Sequence, residues 1–268
     1  MRCTVAVRPA AEPRESRSTN HVTVRIYGQL NDFVPNAERQ VGFAVRFDGP
    51  RSIKDLIEGL GVPHPEIDLL LVNGQSVSFD YMVTDTDRIA VFPRFESLDI
   101  ADLTRVRAHP VATIRFALDG HLGKLARRLR LVGLDAVCPA GADDGQLADL
   151  AGREQRILLT RDRELLKRRV VAHGYFVRET HAQRQLVEVL GHFGPLALEP
   201  FSRCLRCNAE LREVSKSSVE SALQPMTRQH FDRFQSCRGC GQVYWQGSHW
   251  KRLAHAVDTA IQETGGHK

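Results

Sequence analysis

The stretch VATIRFALDGHLGKLARRLRLVG, residues 111–133, changes its hydrophobic period halfway along. Up to Leu118 the residues are apolar save Thr113 and Arg115, as in a strand buried on both faces. From Leu122 onward, Leu122, Leu125, Ala126, Leu129 and Val132 fall on one face of a helix, and Gly133 is its stop. The alternation then repeats: strand Leu134–Cys138, helix Gln146–Ala151, strand Ile157–Thr160, helix Glu164–Val171, strand Tyr175–Val177, and a helix over 181–193. This rhythm predicts an α/β domain over 111–200, a parallel sheet flanked by helices on both faces. Binding chemistry in such folds sits beyond the carboxyl ends of the strands.

Upstream, the period is two. Val22, Val24 and Ile26 alternate with Thr23, Arg25 and Tyr27, and Val41, Phe43, Val45 and Phe47 lead to an Asp48-Gly49-Pro50 turn. Ser52 is placed to cap a helix carrying Ile53, Leu56, Ile57 and Leu60, which Gly61 and Pro63 end. Short strands follow at Leu69–Val72, Gln75–Val77 and Arg88–Phe92. Strand, strand, helix and further strands is the order of an α+β β-grasp. Val72-Asn73-Gly74 and Asp85-x-Asp87-Arg88-Ile89-x-Val91-Phe92-Pro93 resemble the ubiquitin-like domains of the sulfur-carrier type, over about residues 20–97. Carrier chemistry needs a free terminal Gly-Gly, whereas this chain runs on through Arg94-Phe95-Glu96, and Gly265-Gly266 is followed by His267-Lys268. The expected role for the domain, 21–97, is therefore to meet a protein partner or to regulate access.

The bulk properties fit this partition. The chain has 268 residues, 42% hydrophobic and 26% charged, which suits about two globular domains and excludes a disordered or fibrous protein. No apolar run approaches the ~18 residues of a membrane span. Residues 1–20 mix arginines and glutamates around only Val5-Ala6-Val7, too short for a signal peptide's core, and read as a mobile tail of a cytoplasmic protein. Residues 98–110 read as a linker.

Aspartates fall where the strands end: Asp119 after the first, Asp143 and Asp144 after the second, Asp162 after the third. Each precedes a helix, and aspartate as an N-cap contributes about 1 kcal/mol, so each taken singly reads as a cap. Taken together, parallel topology gathers them into one crevice, where carboxylates repel one another without a counterion. Mg²⁺ or Mn²⁺ is the natural partner, and the chemistry this suits is metal-assisted phosphodiester hydrolysis. Lys124, Arg127 and Arg128, with Arg161 and Arg163 around Asp162, are either solvated basic residues or a phosphate track for a nucleic-acid backbone.

Asp119-x-x-Leu122-Gly123-Lys124-Leu125-Ala126-Arg127-x-Leu129-Arg130-x-x-Gly133, followed by Asp143-Asp144 and Leu158-Leu159-Thr160-Arg161-Asp162, resembles the Mut-seven C-terminal RNase family, among the PIN-like nucleases, over about residues 112–255. The resemblance implies a metal-dependent ribonuclease with Asp119, Asp143 or Asp144, and Asp162 in the acidic pattern. Asp119, Asp144 and Asp162 are the expected Mg²⁺ or Mn²⁺ ligands. His121 and Arg128 stand where the family more often has methionine and an aromatic residue.

Four of the six cysteines form two Cys-x-x-Cys knuckles, Cys204 with Cys207 and Cys237 with Cys240. Four thiolates suit a closed tetrahedral structural zinc in a ribbon over 201–255, followed by a helix or tail over 256–268. The 29 residues between the knuckles call for a hairpin or helix of their own. Trp245 and Trp250, interleaved with Lys251 and Arg252, either cover the ribbon or stack RNA bases. The ribbon carries 9 basic against 4 acidic residues over 201–255 and the sheet domain 14 against 10 over 110–195, while 21–97 carries 7 against 11. The basic half should meet RNA, structured or tRNA-like. A nonenzymatic RNA-binding adaptor and a toxin-type RNase are the rival readings.

Overall fold

The computed structural model describes residues 20–95, 98–106, 111 and 113–265, without the side chains of 248–252, 256, 264 and 265. The segment read as a tail, with Cys3, and Gly266 to Lys268 lie outside the described residues, except that Asn20 opens the first strand. Among the described residues, no helix is long and apolar enough to cross a membrane.

The N-terminal unit contains β1 (Asn20–Ile26), β2 (Gly42–Phe47), α1 (Ile53–Gly59), β3 (Leu69–Val72), β4 (Gln75–Ser76) and β5 (Arg88–Phe92). Its sheet has the order β2-β1-β5-β3-β4, with β1 parallel to β5 and antiparallel to β2. The period of two in β1 turns Val22, Val24 and Ile26 inward, where they are fully buried with Ile53, Leu56 and Ile57 of α1. Ser52 caps α1 as its position predicts, its Oγ accepting from Asp55 N at 3.1 Å. Each apolar side chain so buried contributes roughly 1.5–3 kcal/mol, which makes the helix face and the sheet face mutually dependent. The described part of the expected linker, 98–106, is packed: Ile100 and Val106 are buried, and Thr104 Oγ1 donates to the Asp68 carbonyl, while 107–110 lie outside the described residues.

The second unit contains β6 (Phe116–Leu118), α2 (Gly123–Leu131), β7 (Ala136–Val137), α3 (Asp144–Arg153), β8 (Ile157–Thr160), α4 (Arg163–Leu166), β9 (Gly174–Phe176) and α5 (Ala182–Phe193). All four strands run parallel in the order β7-β6-β8-β9. Alternate strand residues serve opposite faces. Phe116, Leu118, Ile157 and Leu159 pack with Leu125 and Leu129 of α2 and Leu186 and Val189 of α5. Ala117 and Leu158 pack on the other side with Leu147 and Ala148 of α3 and Leu165 and Leu166 of α4.

The strands are shorter than the sequence pattern predicts. Among the described residues of the run 111–118, only 116–118 is strand: Thr113 is exposed and the Arg115 guanidinium turns aside to the Glu154 carbonyl, so full burial begins only where β7 and β8 flank the chain. Helix 164–171 shrinks to Arg163–Leu166, because the chain turns at Arg168 to bury Val171. Helix α3, in contrast, gains a turn from its cap at Asp143.

Beyond α5 the chain enters a three-stranded antiparallel ribbon made of β10 (Leu211–Val214), β11 (Phe234–Cys237) and β12 (Val243–Trp245). Two short helices, α6 (Lys216–Val219) and α7 (Pro225–His230), fill the segment between the cysteine knuckles, as its length requires. The backbone then forms one helix, α8 (Ser248–Gly265), which spans the boundary read near 255 and returns Val257 and Ala260 to the core under α2 and α5.

The crossing into the ribbon runs against the end of α2. Glu199 N donates to the Val132 carbonyl at 3.1 Å and Phe201 N to that of Leu131 at 2.9 Å. Gly133 has φ +92°, and a Cβ there would lie 2.3 Å from the Glu199 carbonyl oxygen. Gly133→Ala should therefore cost on the order of 2 kcal/mol or more, from a left-handed backbone and a displaced crossing chain together. Thermal unfolding checks this, and a wild-type midpoint would show that the crossing chain gives way freely.

Candidate active site and cysteine cluster

The paired ends of β6 and β8 set the first part of the site. Leu118 lies opposite Leu159 in the parallel ladder, and one residue further on Asp119 N donates to the Leu159 carbonyl at 3.2 Å. That step brings Asp119 beside Thr160, whose hydroxyl is fully buried and donates to Asp119 Oδ2 at 3.0 Å. The same Thr160 oxygen accepts from Asp162 N at 2.9 Å. One buried hydroxyl thus joins two of the four predicted acids.

Three of the four aspartates read as caps do cap a helix, Asp144 being the exception. Asp162 Oδ1 accepts from Glu164 N at 2.8 Å and Leu165 N at 3.3 Å, and Asp119 Oδ1 accepts from His121 N at 3.4 Å. Asp143 and Gln146 make a reciprocal capping box at the start of α3. Asp144, the first residue of α3, is exposed. Asp143 and Asp144 follow β7, on the other side of β6 from β8. Among the described residues the four aspartates do not draw their oxygens within the 4.8 Å that the cysteine sulfurs achieve.

The basic residues divide. Lys124 and Arg127 are exposed on α2, while Arg128 is half-buried and donates to Gln183 Oε1. Arg161 and Arg163 are directed at protein. Arg161 Nη1 donates to the carbonyls of Val177, Arg178 and Glu179, and Arg163 donates to those of Asp32 and Phe33 in the β-grasp domain.

The four cysteine sulfurs lie within 4.8 Å of one another, with Cys204 and Cys240 at 3.7 Å and Cys207 and Cys237 at 3.3 Å. All four are free thiols. At a zinc–sulfur length of about 2.3 Å, tetrahedral ligands stand roughly 3.8 Å apart, so the set can hold such an ion with small adjustment. The Tyr244 hydroxyl lies 3.1 Å from Cys204 Sγ. Although burial pushes the Cys204 thiol up, hydrogen bonds from Tyr244 and the backbone outweigh it and hold the thiol below its ordinary range.

The anchors of this cluster were not legible in the pattern. Arg130, buried on α2, donates to the carbonyls of Ala136, Leu205 and Arg206. Asn208, with φ +72°, accepts from Ala136 N on the edge strand β7 at 3.0 Å and donates to Asp135 Oδ1 at 2.8 Å. Burial pushes the Asp135 carboxyl up, but bonds from Arg156 and Asn208 prevail and keep it below its usual range. The available signal was one arginine in a leucine-rich helix and one asparagine just after a knuckle. Trp245, 38% exposed, lines a groove of about 1110 Å³ with Phe201, Arg203, Arg233 and Leu253. The side chain of Trp250 lies outside the described residues.

Residues 114–257 match the family described as the Mut7-C RNAse domain, and residues 19–99 match the Mut7-C ubiquitin domain. A human protein named Exonuclease mut-7 homolog is 26% identical over 224 residues, covering 54% of this chain and 26% of its own length. The chain thus spans about a quarter of that relative. A nuclease domain matched over more than half of the chain, with the ubiquitin-like domain ahead of it, places this chain in the Mut7-C RNAse domain family.

Proposed function

We propose that the chain is a PIN-like ribonuclease dependent on Mg²⁺ or Mn²⁺, with its centre at the ends of β6 and β8. The observation that carries this reading is the buried Thr160 hydroxyl joining Asp119 to Asp162. A cap alone needs no such link. The hydroxyl orients Asp119 with Oδ2 toward its neighbour, while Asp162 keeps Oδ2 clear of the helix amides that Oδ1 serves. Asp119, Asp162 and Asp144 would hold the ion, with Asp143 completing the acidic set, and oxygen donors of this kind suit a hard cation. When bound, the metal would activate water and neutralise charge developing on phosphorus. Lys124 and Arg127 would guide the RNA backbone as exposed phosphate contacts, with Arg128 and Arg161 behind them bracing α2 and the β9 loop at the rim of the track.

The cysteine cluster would hold a structural zinc, closed by four thiolates and therefore without a place for substrate water. The adjacent groove, with Trp245 and Tyr244 beside Arg203 and Arg233, would take part in recognition of a structured, tRNA-like RNA by stacking and phosphate contact. Trp250 is proposed for the same role from its sequence position alone. Four reduced cysteines around one metal suit a reducing compartment, the cytoplasm. A nonenzymatic RNA-binding adaptor is favoured by one observation, that Asp119, Asp143 and Asp162 each cap a helix.

Cleavage assays separate these readings. Asp119→Asn and Asp162→Asn should each lower metal-dependent RNA cleavage by at least about a hundredfold while the unfolding midpoint changes little, since asparagine still caps a helix. Full activity in either variant removes that residue from the site, and no chelator-sensitive cleavage in the wild type favours the adaptor.

Lys124→Ala combined with Arg127→Ala should weaken RNA binding and reduce the log–log salt slope by about 0.7 for each phosphate that is no longer neutralised. An unchanged slope returns both residues to the solvent.

Freshly purified reduced protein should contain a single tightly held zinc that Cys204→Ser or Cys240→Ser removes, with proteolysis then opening residues 201–247 before the parallel sheet. Zinc content unaltered in both variants would refute the four-thiolate site.

A further inference from the structure

We infer that the β-grasp domain acts within its own chain as a positioning element of the nuclease site, holding the Asp162 turn through Arg163. The inference rests on the reading of Asp162 as a site residue and adds what fixes it there.

Helix α4, which Asp162 caps, has four residues and cannot sustain itself by propagation. Its first residue, Arg163, extends its guanidinium across the domain boundary: Nη1 donates to the Phe33 carbonyl and Nη2 to the Asp32 carbonyl, both at 3.1 Å. The cation also lies 5.0 Å from the Phe33 ring centre and 5.7 Å from that of Phe176. A planar fork meeting two consecutive carbonyls beside a pair of aromatic rings is a geometry that lysine cannot copy. Across the turn, Arg161 grips the carbonyls of residues 177–179. Asp162 therefore stands between two clamped neighbours, one held by its own domain and the other by the β-grasp domain.

The two clamps converge on the same β-grasp turn. Arg178, whose carbonyl Arg161 holds, donates Nε to Asp32 Oδ2 at 3.2 Å and Nη2 to Glu66 Oε2 at 2.8 Å. Phe33 meets Phe176 edge to face at 5.3 Å. The turn around Asp32 and Phe33 thereby sets both sides of the loop that presents the Asp162 carboxylate. Arg163 is a positioning residue: its partners are protein carbonyls, and its effect on chemistry passes through Asp162.

The test uses the full chain, with Arg163→Ala, Arg163→Lys, Asp162→Asn and, as a control, Asp48→Ala, which removes an exposed carboxylate of the β-grasp domain away from the Asp32 turn. Hydrogen exchange at the Glu164 and Leu165 amides and steady-state RNA cleavage across a Mg²⁺ titration are measured for each. In Arg163→Ala the two amides should exchange at least about fivefold faster, the equivalent of a weakened cap. Its kcat should fall by about ten- to a hundredfold with KM nearly unchanged and more Mg²⁺ needed for half-maximal rate. Arg163→Lys, which keeps the charge and one bond, should lie between, and it serves alone if the alanine variant fails to fold. Asp48→Ala should behave as wild type. Wild-type exchange and kcat in Arg163→Ala overturn the inference, as does faster exchange with normal kcat when Asp162→Asn is inactive, and in that last case the nuclease reading survives. Normal cleavage by Asp162→Asn removes Asp162 from the site and overturns the inference with that assignment, while absence of chelator-sensitive cleavage in the wild type overturns the nuclease reading itself.

Discussion

A four-stranded parallel sheet has two edges, and each edge presents backbone N–H and C=O groups that need partners. In this protein the flanking domains supply them. On the β9 edge, Phe176 N donates to Glu66 Oε1 at 2.5 Å, and the Val171 carbonyl just before the strand lies 2.9 Å from His64 Nε2, both partners belonging to the β-grasp domain. On the β7 edge, Ala136 N donates to Asn208 Oδ1, next to the first cysteine knuckle. The nuclease sheet is thus closed by side chains from units on either side of it in sequence, and the arrangement of all three units follows from those two closures.

Each closure places a charged group out of solvent, and each is compensated locally. The Glu66 side chain is 1% exposed; burial raises its carboxyl, while the Arg178 guanidinium and the Phe176 amide offset part of that. Asp135 plays the matching part on the other edge, gripped by Arg156 at 2.6 Å and by Asn208. A buried pair of this kind adds little net stability, but removing one partner strands the other at a cost of about 3–5 kcal/mol. Such pairs act as registers: a domain docked one residue out of place would leave a charge buried and unmatched. The covered edges also remove two templates for pairing with another chain.

The same sheet explains how the acids can cap helices and still stand together at one end of the sheet. Residues that leave the carboxyl ends of parallel strands stand at once before a helix N-terminus and beside the neighbouring strand's exit. Asp119 and Asp162 each give one oxygen to helix amides, and Thr160 links the pair between them. Capping thus occupies one oxygen of each carboxylate, and metal binding, in the function proposed above, would draw on the other lone pairs. Asp143 and Asp144 differ because β7 is only two residues long and a turn separates it from α3.

Much of this was legible locally. The switch from continuous apolar run to leucine stripe within 111–133 determined strand, helix and stop, and Gly133 marked the stop because only glycine accepts φ +92° beneath a crossing chain. Ser52, Asp143 and Asp162 cap where their spacing says, and two Cys-x-x-Cys knuckles determined a four-sulfur cluster, because capping and knuckle turns span only a few residues. Strand length was not legible, since apolar content cannot show where the flanking strands end. Nor was the use of Arg163, Arg161, Arg130, Glu66 and Asn208. A guanidinium reads alike whether it meets phosphate, water or a carbonyl, and Glu66 meets its amide partner across 110 residues of chain. Elements, acids and thiolates can be read along the chain, because periodicity and capping are short-range. Which charges face solvent and which close the sheet edges emerges with the fold, because that choice depends on partners brought together by the docking of whole domains.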